Sequence, residues 1–225
     1  GSGTLSIPLA KRGFRVIACD FSPVMLDQLE SSCAKEGVLF ARADRGEIIP
    51  DASAGGIIAY ERSWQQSWND LPIADVAVSS RSLITSDIDD SIGKFEAHAR
   101  KRAVVTIGVG SLHFHDPAIY KAMGRDEAKP KEPEELIYLL NYLFSHGRLP
   151  RLEYITFAGV HQRETREELM KVLIDAHEPV NAAERLAAEA YLDEHIAFDE
   201  KSGRYQLDYP RKDMWAYLDW ETPGR

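Results

Sequence analysis

Three signals follow one another in a fixed order at the start of this chain. Gly1-Ser2-Gly3-Thr4 forms a glycine-bearing turn, residues 5–12 form a short helical run closed by Gly13, and the mostly apolar residues 14–19 lead to Asp20. Glycine lets backbone approach a ligand closely, and an acid ending the next strand accepts two hydrogen bonds from a diol. The spacing suits a loop, a helix of about two to three turns and one buried strand. Read as G-x-G-x-x-G the pattern stops short, because Ser6 holds the last glycine position. These features restrict the chain to an α/β fold that takes its ligand at the carboxyl ends of its strands.

Helix and strand signals alternate after Asp20. Ser22-Pro23 predicts a helix start, Ser22 as N-cap and Pro23 in the first turn, with Met25, Leu26, Leu29 and Cys33 at helical spacing. Two segments compete for the third strand, residues 38–41 and 57–60. We favour the second, because residues 61–70 then become a ligand-side loop; the first would make Asp44 the ligand contact instead. Residues 73–79 and 102–108 predict the fourth and fifth strands around a helix over 87–101. Alternation of this kind predicts a parallel sheet with right-handed crossovers. Asp116-Pro117 starts another helix, residues 132–146 a longer one, and residues 151–158 are strand-like. Capping boxes at Thr165/Glu168 and Asn181/Glu184 predict helices over 165–177 and 182–195. Residues 214–220 form a last strand, with Gly203 marking a turn before it.

The turn at Gly1-Ser2-Gly3-Thr4 and the stretch Cys19-Asp20-Phe21-Ser22-Pro23-Val24-Met25-Leu26 together resemble class I S-adenosylmethionine-dependent methyltransferases, in which a glycine-rich turn follows the first strand and an acid ends the second. The resemblance runs to about residue 110 and beyond that only in the order of elements. It implies a Rossmann-like three-layer sandwich with a mostly parallel seven-stranded sheet and a reversed last strand beside the fifth. It also implies a strand before Gly1, so the sequence is expected to lack upstream residues; the alternative is that Gly1-Ser2-Gly3 is a vector remnant. Residues 1–225 then form a single domain, with a helical insertion around 116–148 and helices in 165–195 before the last strand. The implied activity is methyl transfer (EC 2.1.1.-) from S-adenosyl-L-methionine, leaving S-adenosyl-L-homocysteine.

On that resemblance Gly1 and Gly3 flank the amino-acid end of the cofactor, Asp20 takes the ribose hydroxyls, Phe21 and Met25 give apolar contact to the adenosine, and Ser22 and Ser80 line the same site. Trp64 and Gln65 are candidates for the adenine, with Trp64 and Trp68 sealing the sheet edge as the equal alternative. No catalytic residue is identified; the candidates are Arg81, His113 and His115. Arg81 offers a donor fork to an anionic acceptor but no base, and its plainer role is to pair with Asp87 or Asp89. Either histidine suits a general base, and His113, His115 and Asp116 lack the spacing of a metal site, so no metal is expected.

Composition narrows the partners. The 225 residues are 44% hydrophobic and carry a net charge of -9. That is enough for one substantial core, and it supplies no general field for nucleic acid, so a small-molecule acceptor is expected. Two cysteines and no apolar run of about 18 residues suit a cytoplasmic protein without a membrane span; the sequence leaves the oligomeric state open, a homodimer being one option. Two other functions compete: a nicotinamide-dependent oxidoreductase using Asp20 on the adenosine ribose, and a non-catalytic cofactor-binding protein of the same fold.

Overall fold

The computed structural model describes residues 1–49, 55–83, 85–109, 116–125, 135–159 and 161–223. Two compact units emerge, one of Gly1–Ala77, Ile84–Ala103 and Thr222–Arg225, the other of Val78–Leu83 and Val104–Glu221.

In the first unit, α1 (Ser6–Lys11) leaves the glycine turn and stops at Gly13, whose N–H returns to the Ala10 carbonyl at 2.9 Å. The chain then enters β1 (Arg15–Asp20). α2 (Pro23–Glu36) begins as read: Ser22 accepts from the Met25 N–H, Pro23 sits where no N–H is needed, and Gly37 at φ +66° ends the helix. Its residues Leu26, Leu29 and Cys33 are buried against Ala10, Ile57 and Ala59. Each fully buried leucine of this cluster contributes about 1.5–3 kcal/mol. Both rival segments are strands. β2 (Phe40–Arg42) and β3 (Gly56–Glu61) pair in parallel, and β3 also pairs in parallel with β1, giving the order β1-β3-β2. Gly55 makes this packing possible, since a Cβ there would lie 2.5 Å from the Ala10 carbonyl oxygen.

Four more strands form a second sheet in the order β4-β5-β9-β6: β4 (Ala74–Ser80), β5 (Ala99–Gly108), β6 (Arg151–Gly159) and β9 (Arg211–Glu221). β6 and β9 are antiparallel. Hydrogen bonds from Val109 to Met214 and from Thr222 to Lys101 run β9 antiparallel to β5 as well, so the last strand is reversed and lies beside the fifth. α3 (Ile88–Ala97) links β4 to β5 and is capped by Asp87, which accepts from the Asp90 N–H at 3.0 Å. It is shorter than its apolar periodicity suggested. His98 ends it by bonding back to Lys94 and Phe95, and β5 starts at Ala99 instead of residue 102.

The second unit adds helices α4 (Pro117–Ala122), α5 (Glu135–Ser145), α6 (Arg166–His177) and α7 (Ala182–His195). Ile119, Leu169, Leu173, Ile174 and Leu192 of α4, α6 and α7 share one core with Ile196 and Leu207. Those last two belong to an antiparallel hairpin, β7 (Ile196–Asp199) and β8 (Arg204–Leu207), where the sequence had suggested only a turn at Gly203. The result is a Rossmann-like α/β fold.

Candidate functional site

The site is built at the end of β1. Gly3 is buried at φ +103°, and a Cβ there would meet the Ile7 and Leu29 Cδ1 atoms at 2.7 Å, so only glycine makes this turn without displacement. The Gly3 carbonyl accepts from the Ile7 N–H at 3.0 Å, which starts α1 directly from the turn. Asp20 lies at the junction of turn and strand. Its Oδ1 accepts from the Ser22 N–H at 2.9 Å, and its Oδ2 accepts from the Gly1 nitrogen. The side chain keeps 16% of its exposure, so both oxygens retain lone pairs for a further donor. Phe21 beside it is 73% exposed, an apolar surface next to a carboxylate. Ser22 caps α2 and Met25 is half-buried in the first turn of that helix. Gly1, Gly3, Asp20, Phe21, Ser22 and Met25 therefore belong to one corner of the first unit.

A second acid stands next to Asp20, because the parallel register places Glu61 opposite it. Glu61 lies 3.8 Å from Arg42, which is almost fully buried, holds Asp44 through two hydrogen bonds of 2.9 Å and reaches Asp27 at 3.2 Å. Those bonds from Arg42 hold the Asp44 carboxyl below its usual range. Asp44 is thus the partner of a buried guanidinium. An arginine directly after Val38-Leu39-Phe40-Ala41 and two residues before an acid was the signal for this cluster.

Trp64 and Gln65 follow β3. Trp64 stacks on Trp68 with ring centres 4.9 Å apart and meets Phe95 edge-on at 5.9 Å. Lys94 donates to the Trp64 carbonyl, and the Trp68 carbonyl and indole N–H bond to His98 and the Ser63 carbonyl. The tryptophans pack onto α3, while Gln65 is exposed.

Ser80 and Arg81 lie in the second unit. The Ser80 hydroxyl accepts from Thr106 at 2.8 Å. Arg81, at φ +58°, lays its guanidinium over the Trp215 ring, 5.5 Å from the centroid. His113 and His115 fall outside the described residues. Asp116 caps α4 through the Ala118 N–H and accepts from the Tyr209 hydroxyl, which in turn accepts from Tyr191. Burial, the Tyr191 hydrogen bond and the Asp116 charge raise the Tyr209 pKa far above its ordinary value, so this phenol stays a donor. His177, fully buried, accepts from the Asp116 N–H at Nε2 and donates from Nδ1 to the Leu173 carbonyl. Among the described residues no group of three His, Cys, Asp or Glu is arranged to hold a metal ion.

Comparison with known proteins places the chain. It is 31% identical, over 223 residues, to an uncharacterized protein of Haemophilus influenzae, across 99% of this chain and 74% of that one. The chain belongs to the family of that protein. No protein-family model matches it. Among solved structures, precorrin-6y C5,15-methyltransferase of Geobacter metallireducens covers 98% of the chain and 75% of its own length at TM-score 0.50 and 11% identity. YcgJ of Bacillus subtilis covers 100% and 89% at TM-score 0.52 and 9% identity. YjhP of E. coli covers 99% and 83% at TM-score 0.50 and 12% identity. The chain thus has the class I methyltransferase fold, and identities this low speak to fold alone.

Proposed function

We propose that the chain binds S-adenosyl-L-methionine and transfers its methyl group to a small-molecule acceptor, releasing S-adenosyl-L-homocysteine. One observation carries the reading: the carboxylate of Asp20 ends a parallel strand beside the glycine turn, with one oxygen bonded to the Ser22 N–H at the start of α2. A ribose diol offers two O–H donors, and a half-buried carboxylate with spare lone pairs is their natural acceptor. The exposed Phe21 ring suits a flat apolar base, and the turn around Gly3 admits backbone close to the ligand. Trp64 and Gln65 would close the site over the adenine.

The bound cofactor supplies an activated methyl electrophile. This chain's residues have to hold and orient: Asp20 fixes the ribose, Ser22 and Pro23 fix the helix start behind it, and Arg42 keeps the acids at the neighbouring strand ends from repelling one another. The net charge of -9 supports a small acceptor over nucleic acid. A cytoplasmic site belongs to the same proposal, supported by two free thiols; no described helix is long and apolar enough to cross a membrane.

Calorimetric titration with S-adenosylhomocysteine and, in parallel, NAD tests the reading. Saturable binding of the former alone is expected. Binding of NAD alone would move the chain to the oxidoreductases, and binding of neither would refute the cofactor site.

A further inference from the structure

One face of the four-stranded sheet gathers polar groups that the cofactor reading does not use. β9 pairs with β6 without a break from Arg151 opposite Asp219 to Gly159 opposite Arg211, so its side chains alternate and Asp213, Trp215 and Tyr217 share a face. The bonds from Val109 to Met214 and from Thr222 to Lys101 put Gly108 opposite Trp215 and Thr106 opposite Tyr217. Thr106 in turn bonds the hydroxyl of Ser80. Ser80, Thr106, Trp215 and Asp213 therefore look out on the same side, and Gly108 leaves the position opposite Trp215 without a side chain. Arg81 would point to the other side if β4 simply continued. Its φ of +58° breaks the alternation and brings the guanidinium over Trp215. All these residues lie in one compact unit.

Two of them lack a partner of opposite character. No carboxylate lies within ion-pair distance of Arg81 among the described residues, whereas Arg42, Arg45, Arg62, Arg125, Arg166 and Arg185 are all paired with acids. Asp213 is 95% buried by its 5% exposure, and its Oδ1 is sealed from solvent with no hydrogen bond among the described residues. A carboxylate withdrawn from water without a donor is costly, and so is a non-glycine residue held at positive φ. Both costs have a purpose if a ligand completes the arrangement.

We propose that this face binds a small organic acid, its carboxylate on Arg81 and an O–H or N–H donor of the same molecule on Asp213. Asp213 and Trp215 are two residues apart on one strand, roughly 7 Å, so the ligand is of monomer size. Trp215 holds the guanidinium in place and Ser80 and Thr106 flank it. The site lies within the second unit, and its binding requires no cofactor.

The test is ligand-observed NMR and calorimetry with 4-hydroxybenzoate, 4-aminobenzoate, benzoate and phenol, on wild type, Arg81→Gln and Asp213→Asn, with folding checked by circular dichroism. Wild type should bind at least one of the two bifunctional probes, about 10-fold or more weakly in each variant. Benzoate should respond to Arg81→Gln alone and phenol to Asp213→Asn alone. Asp213→Asn should also raise the thermal midpoint of the free protein while lowering binding, which a merely structural aspartate would not do. Equal binding by wild type and both variants, or no saturable binding of any probe to wild type, overturns the proposal. Should Asp213→Asn fail to fold, the Arg81→Gln response to benzoate decides. Titrating the same samples with S-adenosylhomocysteine separates the two readings, since either site can bind while the other fails.

Discussion

Asp20→Asn is the perturbation that isolates the cofactor contact from the fold. The amide oxygen can keep the Ser22 N–H, now at 2.9 Å, so the cap of α2 survives. The other position changes from an acceptor to a donor, facing the two hydroxyls it is meant to receive. One hydrogen bond to a charged group contributes about 1.5–3 kcal/mol, so affinity for S-adenosylhomocysteine should fall roughly 10- to 100-fold. Stability should change by less than about 1 kcal/mol, since the Ser22 N–H keeps its acceptor and the strand end is partly exposed. Calorimetry gives the first quantity and urea unfolding the second. Affinity within about threefold of wild type in a variant that unfolds normally would show that Asp20 does not hold the ribose.

Gly3→Ala should destabilise by about 2–3 kcal/mol, from a positive φ of +103° and overlap with Ile7 and Leu29, measured as a lower urea midpoint; an unchanged midpoint would mean the turn relaxes freely. Arg42→Gln bears on pH. Asp44 is held below its usual range by Arg42, so it adds stability above its unfolded value near about pH 4 and loses it as the pH falls through the lower folded value. With Asp44 partly exposed the difference between wild type and variant should be about 1 kcal/mol at neutral pH and shrink below about pH 4; a constant gap would refute the pairing. Tyr209→Phe removes the donor to buried Asp116 and should cost about 1–3 kcal/mol in denaturant unfolding, with no effect expected on S-adenosylhomocysteine affinity.

Much of this architecture is legible along the chain, because short-range chemistry specifies it. Ser22-Pro23, Asp87, Asp116, Thr165 and Asn181 each mark a helix start, since a side-chain oxygen two or three residues before a free N–H needs no tertiary help. The order of glycine turn, helix, strand and acid places Asp20 at the carboxyl end of β1 for the same reason. Long-range pairing is what the order of residues cannot specify. That β3 lies between β1 and β2, that Arg42 meets acids from α2 and two strand ends, and that Trp64 leans on α3 all depend on segments far apart in the chain. The facing of Arg81 over Trp215 and the isolation of Asp213 depend on register between strands, which local propensity does not encode. Sequence thus determines which elements form and where their caps lie; only packing, by burying some charges with partners and others without, decides which side chains are left available for a ligand.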